Sequence, residues 1–265
     1  MRLSFSIVLL PALALAVACG PVPRPADAYA SAPDLLADFE DLRCAVRSLR
    51  AAGRFDHFDE SRRVQGEALV FAELPDRLRV DLLSPFGSTL SVLTVDRGEF
   101  ALSDYREHRF YAGPADPCNI ARLIQVPLSP EDVTRALVGH TPLIEGDAEV
   151  RWDPEGRYRV TISDGQKEQV LWIDPDRRTL ALRRSRLKDE RGTIFDLRFD
   201  RWREVDGAAI PHEIEVEMPR EEARLLLRYD AGGVEINVDL PAGAWRQELP
   251  AGATVEHVTC ADGAT

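Results

Sequence analysis

Apolar and polar residues alternate along most of this chain from about Val64 onward, and this alternation constrains the fold more than any other feature. Four segments show it clearly: 77–82, 157–162, 195–200 and 234–239. Because side chains of a β-strand point to alternate faces, a period of two indicates strands with one buried and one wet face, which is typical of antiparallel sheet. Turn signals rich in Asp, Pro and Gly separate the segments, and we expect about ten or eleven strands.

Two regions break the alternation and predict helices. The first begins with Ser31 as an N-cap, carries apolar residues at helical spacing, and ends at Gly53. The second region spans residues 114–144. It holds two short helical patches, one at residues 118–125 and one that opens with Ser129.

The strands and helices together predict a mainly β (α+β) fold. About ten strands that each bury one face must curl or pack on something, because a flat open sheet would leave that face wet. A sheet of this size exceeds the roughly eight strands whose side chains just fill a barrel. We therefore expect an incomplete antiparallel β-barrel with an N-terminal helix and a short two-helix lid. A β-sandwich stays open as an alternative.

A hollow barrel of this kind would enclose an apolar cavity. Its expected lining is the apolar side of the alternating strands: Leu78, Val80, Leu82, Leu90, Val92, Tyr158, Val160, Ile162, Phe195, Leu197, Val234 and Ile236. Such cavities bind apolar ligands. The alternative is that these residues form an ordinary filled core, and periodicity alone favours that alternative.

The N-terminus has the pattern of an export signal. Arg2 supplies a positive start, residues 7–17 are an apolar run, and Ala16-Val17-Ala18 directly precedes Cys19. This resembles the lipobox of bacterial lipoproteins, in which the cysteine thiol carries a diacylglyceryl group and becomes the new N-terminus. An ordinary secretory signal with an A-x-A cleavage site is the alternative.

These patterns predict three parts: a lipoprotein signal peptide at residues 1–18, a Pro- and Ala-rich flexible tether at 19–32, and a single domain at 33–262. Gly20 follows Cys19 where an Asp would imply retention in the inner membrane. The lipoprotein resemblance therefore implies a protein of the outer membrane, held by its lipid and facing the periplasm.

Charge and cysteines limit the partners. The formal net charge is −12 and no run of Lys or Arg accumulates, which argues against nucleic acid as a partner. Three cysteines remain after Cys19, an odd number in a compartment that permits disulfides. Cys44 lies opposite the apolar stripe of the first helix, so we expect it to bridge to Cys118 or Cys260. A free surface thiol at Cys44 is the alternative.

One segment carries a family resemblance. Residues 76–95, DRLRVDLLSPFGSTLSVLTV, resemble the strand–turn–strand segment of the LolA/LolB-like lipoprotein carrier and receptor superfamily, and most of all the outer-membrane lipoprotein receptor LolB. The family's Asn-Pro-Leu-Gly-Ser-Thr turn corresponds to residues 84–89, SPFGST. A looser similarity continues through 98–105, 124–129 and 137–139, so the resemblance covers about residues 40–145.

This resemblance implies an incomplete β-barrel with an apolar interior and a helical lid. It implies that the protein accepts lipoprotein acyl chains, or phospholipid, from a periplasmic LolA-like carrier and inserts them in the outer membrane as a monomer. In the family, the leucine of the turn protrudes and assists membrane insertion, and here Phe86 matches it. Pro85 and Gly87 suit a tight turn that points Phe86 outward. A non-catalytic lipid-binding or scaffold lipoprotein of the same fold, without a transfer role, is the alternative.

No motif predicts an enzyme. The sequence lacks a G-x-S-x-G elbow, a phosphate-binding loop, an H-E-x-x-H helix and a G-x-G-x-x-G turn. The five histidines are scattered without ligand spacing, and His212 is expected on a solvated strand face. We therefore predict no catalytic residues, no metal site and no cofactor.

Overall fold

In the computed structural model, the structure is described for residues 21–58, 63–124 and 128–260. Cys19 and the predicted signal peptide lie outside the described residues, as do residues 125–127 of the segment that resembles the lid linker. None of the described helices is long and apolar enough to cross a membrane.

The described chain folds into one large open sheet with three helices. The helices are α1 (Ala32–Cys44), α2 (Pro117–Ile124) and α3 (Pro130–Leu137). The strands are β1 (Ser48–Phe58), β2 (Arg63–Glu73), β3 (Arg77–Leu83), β4 (Thr89–Asp96), β5 (Glu99–Asp104), β6 (Arg109–Pro114), β7 (Asp147–Trp152), β8 (Tyr158–Ser163), β9 (Glu168–Ile173), β10 (Leu182–Asp189), β11 (Gly192–Asp200), β12 (Arg203–Val205), β13 (Ala208–Ile210), β14 (Glu213–Met218), β15 (Ala223–Ile236) and β16 (Thr254–His257).

Fourteen strands form the sheet in the order β16-β6-β5-β4-β3-β2-β1-β15-β14-β11-β10-β9-β8-β7, and β12 pairs with β13 separately. All neighbours are antiparallel except β16 and β6, which run parallel. The edge strands β7 and β16 do not pair with each other, so the sheet stays open. The predicted mainly β fold, an incomplete antiparallel barrel with an N-terminal helix and a two-helix lid, is confirmed.

The predicted number of ten or eleven strands is too low, since sixteen are present in the described residues. Strands β12, β13 and β16 have only three or four residues, too few to show an alternation. The chain also continues as a strand through residues 231–233, which the sequence predicts as a turn. They lie inside β15 as a bulge opposite β1.

The first helix ends at Cys44, so the predicted end at Gly53 is wrong. Leu49 lies three residues after Val46, which suits a helix, but it is buried on the same face of β1 as Ala51, two residues further, which is the spacing of a strand. Gly53 lies inside strand β1 and does not end a helix. A Cβ at this position would lie 2.2 Å from the carbonyl oxygen of Arg228 on β15, so the close approach of the two strands requires glycine.

The described part of the predicted tether is not free of the domain. The backbone N–H of Val22 donates to the β7–β8 turn (3.1 Å), and Trp152 Nε1 donates to the carbonyl of Val22 (2.8 Å). Tyr29 is buried, and its hydroxyl donates to Asp38 at 2.5 Å. Burial and this hydrogen bond raise the pKa of Tyr29 to about 12. The described part of the predicted tether thus contacts the domain in this structure, and its flexibility stays a prediction.

The concave face of the sheet is covered in two halves. Helix α1 and the loop that follows α3 cover the half near β7–β11. Gln169 holds that loop, because its side chain donates to Pro142 O (2.7 Å) and accepts from the backbone N–H of Ile144 (3.0 Å). Helices α2 and α3 lie over β5 and β3 in the other half. The two halves form a continuous cluster of buried apolar residues.

The convex face is polar and carries cross-strand ion pairs, such as Arg228 with Glu213 (3.0 Å). Part of it lies under residues 237–253, which we call the C-terminal strap. Gln247 of the strap donates to Val92 O (3.0 Å) and accepts from Ser103 Oγ (2.6 Å). The cross-strand ion pairs of the convex face place charged side chains at alternate positions of the strands, which explains the regular alternation in the sequence.

A disulfide joins Cys118 at the start of α2 to Cys260 after β16. Cys44 is exposed and unpaired. The expectation that Cys44 takes part in a bridge is therefore wrong, and the free surface thiol is the correct alternative. The bridge ties the first lid helix to the chain end because β6, β16 and α2 meet at one edge of the sheet.

We predict that replacing both bridged cysteines, C118S/C260S, lowers the free energy of unfolding. The bridge closes a sequence separation of 142 residues. Loop-closure entropy for a loop of this length corresponds to at most about 5 kcal/mol. Urea denaturation followed by circular dichroism measures the change, and Cys44→Ser is the control that should leave stability within about 0.5 kcal/mol. Equal stability of the double variant and the control would contradict the prediction.

Candidate functional site

An apolar cavity of about 210 Å³ lies beneath α2 and α3. Its floor is formed by β1–β4 and β15, and its roof by Leu123, Val133 and Leu137 of the two helices. The floor is mainly apolar, with half-buried side chains that have no packing partner on the cavity side. These are Val64, Leu82, Leu90, Leu225 and Leu227.

A row of small residues crosses the sheet at the cavity, and two of them, Ala68 and Ser91, line it on either side of Leu82. Gly53 pairs with Ala68, Ala68 with Leu82, and Leu82 with Ser91. Cross-strand partners lie side by side on the same face. Three of these four residues are too short to fill the distance to the lid. The small residues are visible in the sequence, but their alignment in one row depends on the strand register.

Leu90 reaches the cavity through a β-bulge. Leu82 pairs with Ser91 and Leu83 with Thr89, so Leu90 is the extra residue between them. Leu90 lines the cavity together with Val80 and Leu82. These are three of the twelve residues that the sequence analysis named as lining.

The other nine lie elsewhere. Val92 is on the opposite face, because it pairs with Asp81 and Ser103 and lies under Gln247 of the C-terminal strap. Its place in the expected lining is wrong, since the bulge at Leu90 reverses the parity of the strand. The remaining residues face the concave side and are buried in the core cluster, away from the cavity: Leu78, Tyr158, Val160, Ile162, Phe195, Leu197, Val234 and Ile236.

The half of the barrel near β7–β11 is thus filled, as the alternative of an ordinary core predicts. Leu35 and Phe39 of α1 are fully buried there, together with Val160 and Leu171. Phe195 and Leu197 border a separate gap of only about 10 Å³. The half under α2 and α3 is hollow. Sequence periodicity does not distinguish the two halves, because the strands have the same pattern in both.

Several contacts hold the lid. Helix α3 begins at the N-cap Ser129, whose hydroxyl accepts from the backbone N–H of Asp132 (3.1 Å). Thr134 Oγ1 donates to the carbonyl of Pro75 in the β2–β3 turn. The hydroxyl of Tyr229 donates to the carbonyl of Leu137 (3.1 Å), and complete burial raises the pKa of Tyr229. Helix α2 is held covalently by its disulfide.

The cavity extends to the end of the sheet where the β3–β4 and β5–β6 turns lie, since its lining includes Leu90 beside the first turn and the exposed Arg106 in the second. Antiparallel pairing brings these alternate turns to the same end. Phe86 is at the tip of the β3–β4 turn and is 95% exposed. Gly87 has φ +80°, which glycine adopts without strain. Ser84 Oγ accepts from the backbone N–H groups of Phe86 (3.3 Å) and Ser88 (3.1 Å). The Pro85-Phe86-Gly87 turn therefore holds the Phe86 ring in solvent beside the cavity mouth.

The described histidines do not form a cluster with one another. His212 is buried, so the expectation of a solvated side chain is wrong. Burial lowers its pKa, and its Nδ1 lies 3.3 Å from the carbonyl of Ile210. His140 is buried against the Phe39 ring, and its Nε2 lies 2.8 Å from Glu40 Oε1. Within the described ranges, no group of three or more His, Cys, Asp or Glu residues is arranged to hold a metal ion.

Comparison with known proteins shows the fold. No family model and no curated protein matches the chain. A LolA superfamily protein from Nitrosomonas europaea has TM-score 0.53 at 11% identity, over 83% of this chain and 99% of that one. A putative outer membrane lipoprotein-sorting protein domain from Vibrio parahaemolyticus has TM-score 0.54 at 11% identity, over 81% and 94%.

The chain has a LolA-like fold. A DUF1329 family protein from Desulfovibrio piger is also similar, with TM-score 0.55 at 15% identity, over 80% of this chain and 95% of that chain. The names of the Nitrosomonas and Vibrio proteins refer to the LolA superfamily and to lipoprotein sorting, not to an enzyme.

We predict that Tyr229→Phe loosens helix α3. The substitution removes the hydroxyl that donates to the buried carbonyl of Leu137. An unsatisfied buried carbonyl costs about 1–3 kcal/mol. We expect a matching decrease in the free energy of unfolding and faster amide hydrogen exchange in α3. Tyr105→Phe, at an exposed turn, is the control, and unchanged exchange in α3 would contradict the role of the hydroxyl.

Proposed function

We propose that this protein is a lipoprotein of the outer membrane, anchored through Cys19 and facing the periplasm. It binds acyl chains of lipoproteins, or lipid, in the cavity beneath α2 and α3, and helps to localise or insert them in the outer membrane. The observation that carries the proposal is the open apolar cavity under a helical lid in a LolA-like fold. A periplasmic LolA-like carrier is the proposed donor, and the protein acts as a monomer without a catalytic step.

The size of the cavity limits what binds without a change in the lid. A cavity of roughly 150 Å³ holds a six-carbon ring, so the 210 Å³ here holds about eight carbons. Each buried CH₂ contributes about 0.8 kcal/mol, which amounts to about 6 kcal/mol for a chain of that length. A longer acyl chain requires the lid to move. Helix α3 is the movable part, because hydrogen bonds hold it whereas a disulfide holds α2.

The cavity is tested by filling it. Leu82→Trp places a large ring in the space between the small residues of the floor, and we expect at least about tenfold weaker binding of a fluorescent fatty acid. Val205→Trp is the matched control, because Val205 is also half-buried but lies on β12, outside the cavity lining. Circular dichroism confirms that both variants fold. If Leu82→Trp binds the probe as tightly as the control, the ligand binds elsewhere.

Delivery is assigned to the Phe86 turn. The ring is 95% exposed beside the cavity mouth, so it contacts a bilayer or a partner before any other apolar side chain of the turn. Burying such a ring is worth about 1.5–3 kcal/mol. An acyl chain that leaves the cavity at this end then enters an apolar surface that the ring already touches.

The anchor restricts how the turn can reach the membrane. Val22 is docked at the β7–β8 turn, at the opposite end of the sheet from Phe86. Only three residue steps separate Cys19 from Val22, a reach of at most about 11 Å. Strand β1, with 11 residues, is itself about 36 Å long. We propose that residues 21–28 leave the domain when the turn contacts the bilayer that holds the lipid.

We predict that Phe86→Glu reduces delivery of an acylated lipoprotein to vesicles by about tenfold or more, because it removes about 1.5–3 kcal/mol of apolar contact. Binding of the fluorescent fatty acid in the cavity should not change. Ser88→Glu is the matched control, since it places the same charge in the same exposed turn and keeps the ring. An equal loss in both variants would assign the effect to charge rather than to the Phe86 ring.

A second candidate function is lipid binding without transfer, as a scaffold or storage lipoprotein. Two observations favour it: half of the concave face is filled, and the docked Val22 directs the cavity mouth away from the anchor. The delivery assay separates the two functions. A wild-type protein that binds the fluorescent fatty acid but transfers no lipoprotein to vesicles would support the second.

A further inference from the structure

The mouth of the cavity carries positive charge that the floor and roof do not. Two arginines, Arg106 and Arg122, and one carboxylate, Asp104, belong to the cavity lining. Asp104 is committed to its own turn, because its Oδ1 accepts from the backbone N–H groups of Arg106 (2.9 Å) and Glu107 (3.1 Å). Two guanidinium groups and one carboxylate give the mouth a formal charge of +1, in a chain whose formal net charge is −12.

The side chain of Arg122 is held in place by neighbouring residues. Its Nε donates to Asn119 Oδ1 (3.1 Å), and its guanidinium lies 5.8 Å from the centre of the Tyr111 ring. Asn119 is fully buried and donates to the carbonyl of Pro114 (2.9 Å). These contacts use one edge and one face of the guanidinium, and its two terminal nitrogens remain available at the cavity mouth.

Neither mouth arginine has a carboxylate partner within 4.0 Å among residues 21–58, 63–124 and 128–260. Elsewhere the arginines of the sheet are commonly paired, as Arg79 is with Asp81 (2.8 Å) and Arg228 with Glu213 (3.0 Å). Arginine prefers a carboxylate or phosphate partner because its planar fork donates two parallel hydrogen bonds to two oxygens.

We propose that the ligand of the cavity is an amphiphile with an anionic head, in which a carboxylate or phosphate contacts Arg106 and Arg122 while the acyl chain lies beneath α2 and α3. This inference rests on the proposed function and selects within it. The acylated cysteine of a lipoprotein is joined through esters, an amide and a thioether, none of which is charged. The cavity mouth therefore favours a fatty acid or a phospholipid over that neutral group.

The arrangement also explains the direction of entry. The chain end of the amphiphile passes Leu90 and Leu225 into the apolar part, and the head stays at the open end where water screens it. Because both arginines are exposed, each contributes modestly, and their combined effect is expected to be about tenfold in affinity.

The test compares three ligands with the same saturated chain of about eight carbons, the length that the cavity holds without movement of the lid: the free acid, its methyl ester and the lysophosphatidic acid. Binding to the purified mature protein is measured at pH 8 by displacement of a fluorescent apolar probe. We expect the two anionic ligands to bind about tenfold more tightly than the ester. In R106Q/R122Q this difference should disappear while the affinity for the ester stays the same.

The matched control is R97Q/R151Q, which removes the same charge from two exposed turn and edge positions outside the cavity lining. It should keep the tenfold preference. If the ester binds as tightly as the acids, or if both double variants lose the preference equally, the anionic-head proposal is overturned while the apolar cavity stands. If none of the three ligands displaces the probe, both proposals fall. A preference for only one of the two anions supports the proposal and identifies the source as fatty acid or phospholipid.

Discussion

The structure depends on how one large apolar face is covered. Fourteen strands present their apolar side chains to a single concave side, and the described chain supplies three short helices and one loop to cover it. A closed barrel would bury that face against itself, but β7 and β16 remain apart. The space over β7–β11 is filled by α1 and the loop after α3, whereas the space under α2 and α3 is partly empty. The cavity is the part of the hydrophobic core that the chain does not fill.

This division gives the two halves different properties. The filled half holds large buried side chains such as Phe39 and Phe199, together with the polar contacts of Gln169, so it is the rigid part of the domain. The hollow half lacks such packing contacts. Its lid consists of α2, which a disulfide holds, and α3, which hydrogen bonds hold. A ligand that enters replaces packing that the protein lacks, so its binding also stabilises the folded state.

The docked N-terminal segment and the Phe86 turn are associated with different strands of the sheet. Val22 contacts the β7–β8 turn, whereas Phe86 is at the tip of the β3–β4 turn, eight strands away in the sheet order. The backbone N–H and carbonyl of the exposed Val22 each make one hydrogen bond to the β7–β8 region, whereas Tyr29 is buried. The segment before Tyr29 is the part that can separate from the domain at small energetic cost.

The sequence by itself determined the fold class, the two lid helices and the exposed turn at Phe86. Each of these depends on local patterns: the period of two, the N-cap at Ser129, and the Pro and Gly that flank Phe86. Only the tertiary structure decided where the first helix ends, which cysteines pair, and which apolar residues border empty space. Leu49 suits both a helix and a strand, and Val92 lost its expected face to a bulge at Leu90. These outcomes depend on strand register and on contacts between residues distant in sequence, and local periodicity carries no information about either.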